Sequence, residues 1–230
     1  MLLGCALAGA PAAAQPVAWL WDDARQPAWS GKEAAVLQRH ILLSGTRVLT
    51  RPRMRPARLL PGTLVTPVVH VEVSVVNPPA DMEASRAAIL RAMQEAAGAS
   101  TSGRVQLDME ARPSQRLFYK SLVRQLRATL PRGVALSVTA LAWWCRAPAW
   151  LDDLDADEVV PMFFRMGKDT TRMRELVASD PALLHVRCRD TAAGFSPQEA
   201  FPDSVSARYP RSYWFDYHAW KRAPTKENVP

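Results

Sequence analysis

The sequence predicts an α/β fold, a TIM-like (β/α)8 barrel that is short or distorted. Three observations carry this. Eight short apolar segments have the length and composition of strands. Amphipathic helical patterns separate several of them, and strand alternating with helix implies parallel pairing. Acids and aromatic residues gather at the segment ends, where barrels of this class keep their chemistry. Two of the eight units, after Thr46 and after Leu183, are poorly marked, so an open sheet is the alternative.

At 230 residues, 48% hydrophobic and 22% charged, the chain can bury an ordinary globular core. No apolar run approaches the ~20 residues of a membrane span, so none is expected. The net charge of +7 permits contact with anionic polymers. Leu2 to Ala14 is apolar, small and uncharged, and Ala12-Ala13-Ala14 before Gln15 fits a signal cleavage site. Residues 1–14 therefore read as an export signal without its basic front, followed by a single domain over 15–230. Leu2-Leu3-Gly4-Cys5 resembles a lipoprotein cleavage box in which Cys5 would carry lipid. Plain secretion is preferred, because such a box normally follows a longer apolar run. Export leaves Cys145 and Cys188, which can pair as a disulfide.

The elements follow in order. Val17–Trp21 is a strand tipped by Asp22 and Asp23. Lys32–Leu43 carries a helical pattern, and Thr46–Thr50 is a short strand. Arg51–Pro61 is rich in Arg and Pro and reads as a surface connection, since its prolines forbid a central strand or helix. Thr66–Val76 is a strand with His70, Glu72 and Ser74 on one face. Asp81–Ala97 is a helix with an Asp start and a Gly98 stop. Val105–Met109 is a strand, followed by a helix over Ser114–Leu130. Val134–Ala142 is a strand ending at Trp143 and Trp144. Glu158–Phe164 is a strand, Thr170–Ala178 a helix, Leu183–Arg187 a weak strand and Ser212–Asp216 the last strand.

The chemistry centres on Gly103–Ala111, GRVQLDMEA. The side-chain period of two puts Asp108 and Glu110 on one face at the end of a strand. The other strand ends offer Asp22, His70, Glu72, Trp143, Trp144, Arg165, Tyr213, Trp214, Asp216 and Tyr217. Carboxylates with aromatic rings suit a sugar, because rings stack on the apolar face of a pyranose while carboxylates bond hydroxyls or move protons. Each group also has a plain reading. Most tryptophans should be core or rim packing. His70, set among valines, reads first as a hydrogen-bonded barrel histidine. Glu110 stands close to Arg112 and could be spent in an ion pair. The arginines at 47, 51, 53, 55 and 58 read first as a solvated loop and second as a grip for an anionic polymer. No GxSxG, GxGxxG, CxxC or HExxH is present, so no cofactor and no metal site is expected. Carbohydrate is the expected ligand and nucleic acid is not. Composition leaves the oligomeric state open.

Two resemblances add to this. VQLDMEARPSQRLFYKSLVRQLRATLPRGVALSVTALAWW, with DEVVPMFFRMG after it, resembles exported bacterial proteins known as domain of unknown function family 3142. The likeness covers Val105 to Gly167. The strand 103–110 also resembles the family-18 chitinase motif DxxDxDxE. Asp108 and Glu110 match its last two acids, while Gly103 and Gln106 stand at the first two. That resemblance implies a barrel glycoside hydrolase with Glu110 as general acid and Asp108 orienting it and tuning its pKa. It also implies that the substrate's acetamido group serves as nucleophile. A binding protein on a degenerate barrel is the alternative.

Overall fold

The computed structural model describes residues 15–22, 25–189, 191–199 and 201–216. Nine strands form one sheet: β1 (Gln15–Leu20), β2 (Glu33–Ser44), β3 (Arg47–Pro52), β4 (Leu64–Val73), β5 (Arg104–Met109), β6 (Ala135–Leu141), β7 (Glu158–Met162), β8 (Ala192–Phe195) and β9 (Arg211–Phe215). Eight of them pair in parallel in the order β1-β9-β8-β7-β6-β5-β4-β2, and a β1–β2 pairing closes the ring. The fold is an α/β barrel, as the alternation of strands and helices predicts.

The ninth strand, β3, folds back antiparallel on β2 outside the ring. The predicted strand at Thr46–Thr50 therefore exists but is not a barrel member. Pro52 can end it because β3 is an edge strand with no further ladder to feed. The segment after β3 does a helix's work. Ala57 and Leu59 cover Ala18, Leu20, Ala34 and Val36 on the outer wall. The buried Gln26 pins the segment by accepting from the Leu60 amide (2.9 Å), and its own amide donates to the Arg58 carbonyl (3.0 Å).

Helices cover the rest: α1 (Met82–Gly98), α2 (Arg116–Thr129), α3 (Thr170–Ser179) and the single turn α4 (Asp203–Ser206). Asp81 caps α1 by accepting from the Glu83 amide at 2.8 Å. Outward residues of the strands, such as Ile41, Val69, Leu107 and Val138, pack with Ile89, Met93, Leu122 and Leu126 of α1 and α2 in the main core. Below α2, Tyr119, Trp144 and Trp150 form an aromatic stack, with the two indoles 4.1 Å apart. Cys145 and Cys188 form the predicted disulfide, joining the turn after β6 to the turn before β8.

Two expectations are corrected. The segment 32–43 is not a helix but lies almost wholly in β2. Its Ala, Leu, Gln and Arg favour a helix in isolation. In the barrel wall the strand is buried on both faces, so the alternation that marks a strand is lost. Leu183–Arg187 is not a strand but part of two short 3-10 turns, Pro181–Leu183 and Val186–Cys188. The missing barrel strand is β8, AAGF, too short and small to stand out. Its glycine is required. A Cβ at Gly194 would lie 3.1 Å from Trp19 Cζ3 and 3.3 Å from Phe164. Both rings are buried in the barrel interior and have little room to yield. Gly194→Val should therefore destabilise the fold by roughly 1–3 kcal/mol, measured by urea unfolding. An unchanged midpoint would contradict this packing.

The barrel floor, at the strand starts, is closed by charge. Glu158 accepts from Ser137 (2.6 Å) and from the Tyr213 hydroxyl (2.8 Å), and it pairs with Arg211 (3.1 Å). Arg211 also pairs with Glu33, which accepts from Thr66. The interior opens at the carboxyl ends of the strands.

Candidate active site

A cavity of about 740 Å³ opens at those carboxyl ends. Trp19, Met162, Phe164 and Phe215 supply its apolar depth, and Trp21 and Trp143 its aromatic walls. Asp22, His40, Arg51, His70, Glu72, Asp108, Glu110 and Arg165 supply the polar groups. The predicted residues Asp22, His70, Glu72, Asp108, Glu110, Trp143 and Arg165 are thus brought together.

Four predicted residues are not. Trp144 is fully buried in the core, stacked on Trp150. Tyr213 points into the barrel, but at the floor, where its hydroxyl is held by Glu158; burial there pushes its pKa well up. Trp214 lies on the outer wall against Phe195 and the exposed Trp29, its indole N–H donating to Ser212 at 3.0 Å. The period of two explains the pattern along β9: Tyr213 and Phe215 face inward, and Trp214 must face outward. Asp216 accepts from Gln198 at 2.7 Å and is not part of the lining. Cys5, Asp23 and Tyr217 fall outside the described residues.

Asp108 is buried and fully engaged. One carboxylate oxygen bonds His70 Nδ1 at 2.8 Å, and the other accepts from the Thr139 hydroxyl at 2.8 Å. It makes no hydrogen bond to Glu110, so its influence on that residue is electrostatic. Burial works against charging His70, but the Asp108 carboxylate and its hydrogen bond outweigh it, with help from Glu110 and Glu72, and the His70 pKa is raised. Trp21 meets the His70 ring edge-on at 4.7 Å and keeps it in place.

Glu110 makes no hydrogen bond or ion pair among the described residues. Its neighbour Arg112 turns away and donates to the Val73 carbonyl at 3.3 Å, so the expected ion pair does not form. The residue is exposed at the rim, with its carboxyl facing the cavity. Desolvation raises its pKa, the Asp108 charge raises it further and Glu72 adds to this, against opposing pulls from His70 and Arg165. Arg165 sits opposite on a left-handed backbone, φ 51°, its amide held by both carboxylate oxygens of Glu199 at 3.0 Å.

The raised pKa has a consequence for stability. Folding favours protonated Glu110, so its contribution is fully present below the unfolded value, about 4.3, and is lost as pH rises through the folded value. Glu110→Gln removes that loss. The variant's melting temperature should therefore rise relative to wild type as the pH increases from about 4. A gap that stays constant with pH would contradict the shift.

Sequence reasoning missed His40, Trp19 and Phe164. Trp19 and Phe164 read as ordinary strand residues. His40 was hidden by the helical pattern, and its direction depends on a bulge. Ala35 and Leu37 pair with the inward residues Thr66 and Val68; one extra residue between Leu37 and Arg39 then resets the parity, so that His40 pairs with His70 and faces inward.

No family model matches the chain, so the likeness to family 3142 has no support from that side, and no curated protein matches it. Solved structures do. The chain is similar to the Bacillus cereus spore cortex-lytic enzyme SleL, at 13% identity and a TM-score of 0.51, covering 82% of this chain and 51% of that one. It therefore spans about half the length of SleL. It is also similar to a GH18 chitinase from Pseudoalteromonas aurantia, at 10% identity and a TM-score of 0.50, covering 87% of this chain and 93% of that one. At these identities the likeness is one of fold: the chain shares the α/β barrel of these two enzymes.

Proposed function

We propose that this is an exported protein that hydrolyses a glycosidic bond in an envelope or extracellular carbohydrate, with Glu110 as general acid. The observation that carries this is the state of Glu110, an unpaired carboxyl of raised pKa on an aromatic-walled cavity beside the buried Asp108. Glu110 gives its proton to the leaving glycosidic oxygen and, as a carboxylate, takes a proton from the water that completes the reaction. Asp108, buried and held through both oxygens by His70 and Thr139, is assigned an electrostatic role rather than that of nucleophile. After desolvation, its charge is the next cause of the raised Glu110 pKa, and it favours the cationic transition state. Attack then comes from a neighbouring group of the substrate, as the acetamido group of an N-acetylated sugar, and water later opens the resulting intermediate with Glu110 as base. The disulfide supports export, since such bonds persist in oxidising compartments. Among the described residues no helix is long and apolar enough to cross a membrane.

A binding protein without turnover is the second reading. It is favoured by one observation: among the described residues no acid contacts Glu110 to orient it. Product release from a panel of oligosaccharides, including N-acetylated ones, separates the two. Hydrolysis lost in Glu110→Gln supports catalysis. Binding without cleavage by the wild type supports the second reading.

A further inference from the structure

We propose that His40, His70 and Glu72 form a binding site for one divalent transition-metal ion at the rim of the cavity. The three come together through strand register. His40 of β2 pairs with His70 of β4, and Leu42 pairs with Glu72. The bulge in β2 turns His40 to the interior beside His70, with ring centroids 4.9 Å apart. Glu72, two residues beyond His70, projects from the same face. One donor atom from each residue lies within 4.8 Å of the others. Tetrahedral bonds of about 2.1 Å would set these atoms about 3.4 Å apart. Glu72, with its side chain 56% exposed, has the freedom to close that gap.

Two further features point to an ion. Asp108 fixes His70 through Nδ1, which leaves Nε2 as the ligand nitrogen; a carboxylate behind an imidazole is how metal-binding histidines are oriented. His40 Nε2 is screened from solvent without a hydrogen-bond partner, although a Glu72 oxygen lies 3.3 Å away. Bound metal would satisfy that nitrogen. Two imidazoles and one carboxylate with open positions toward the cavity suit zinc and its first-row neighbours, whereas magnesium and calcium prefer all-oxygen sets. An oxygen of a ligand in the cavity could take an open position.

Arg51 opposes the ion. Its Nε donates to His40 Nδ1 at 3.2 Å, which places the proton of neutral His40 on Nε2. Binding through Nε2 moves that proton to Nδ1 and sends Arg51 to its other partner, Asp22, now 3.2 Å away. Removing Arg51 should therefore tighten binding. The sequence conceals the site because its ligands are divided between two strands, with His40 thirty residues before His70.

The test is isothermal titration of tag-free, chelator-treated protein with zinc chloride, and with cobalt(II) as a spectroscopic probe. The expected result is one ion per chain. His40→Ala and His70→Ala should each weaken binding at least about tenfold and abolish the visible cobalt bands, and Asp108→Asn should weaken it about tenfold. Arg51→Ala should bind more tightly than wild type. Glu110→Gln should still bind one zinc ion per chain, so the ion site stands or falls independently of sugar hydrolysis. Circular dichroism confirms that each variant is folded. Absence of stoichiometric binding by the wild type would overturn the proposal, as would unchanged binding by folded His40→Ala and His70→Ala.

Discussion

Glu110→Gln is expected to lower kcat on a cleaved oligosaccharide by about 100-fold or more while leaving KM nearly unchanged. The substitution keeps the shape and hydrogen-bonding reach of the side chain and removes only its transferable proton. That proton matters because a sugar alkoxide is a poor leaving group at neutral pH. Partial desolvation at the cavity mouth and the Asp108 charge hold it on Glu110 at higher pH than a free carboxyl would. Asp108 can exert this effect without touching Glu110, since His70 and Thr139 hold its carboxylate in a fixed position on the same face. A KM that rises while kcat stays constant would make Glu110 a binding group. Equal rates for variant and wild type would remove it from the mechanism.

The second large effect concerns the Cys145–Cys188 bond, which closes a loop of 43 residues. On the loop-closure argument, losing it restores unfolded-state entropy worth about 4 kcal/mol. The double variant Cys145→Ser/Cys188→Ser should lose that much on denaturant unfolding and melt roughly 10 °C lower. The bond ties the turn after β6, which carries Trp143 at the cavity wall, to the segment leading into β8. Thiol titration of unfolded, non-reduced protein from its native cells should find neither cysteine free. Two free thiols would contradict both the bond and export. Unchanged stability of the double variant would contradict its structural role.

Much of this fold is legible in the sequence, and the failures have physical causes. β4, β5, β6 and β7 stand out because their β-branched runs end at Pro, Gly or a helix start. β2 does not, because burial on both faces erases alternation and leaves the helix preference of EAAVLQRH visible. β8 does not, because its small residues answer to Trp19 and Phe164, from β1 and the end of β7, which no local pattern reveals. The site divides the same way. Asp108 and Glu110 can be found from one strand and its period. The bond between Asp108 and His70, and the meeting of His40, His70 and Glu72, depend on which strands are neighbours. Trp144, Tyr213 and Trp214 look like site residues because aromatic rings at strand ends do, but parity and depth send them to the core, the floor and the outer wall.

The most direct measurement is a crystal structure of Glu110→Gln soaked with an oligosaccharide that the wild type cleaves. The expected result is a sugar lying along Trp21 and Trp143, with its scissile glycosidic oxygen within about 3 Å of the side chain at position 110. A sugar bound elsewhere on the molecule, or one in the cavity with every glycosidic oxygen beyond reach of position 110, would contradict the assignment of Glu110 as general acid.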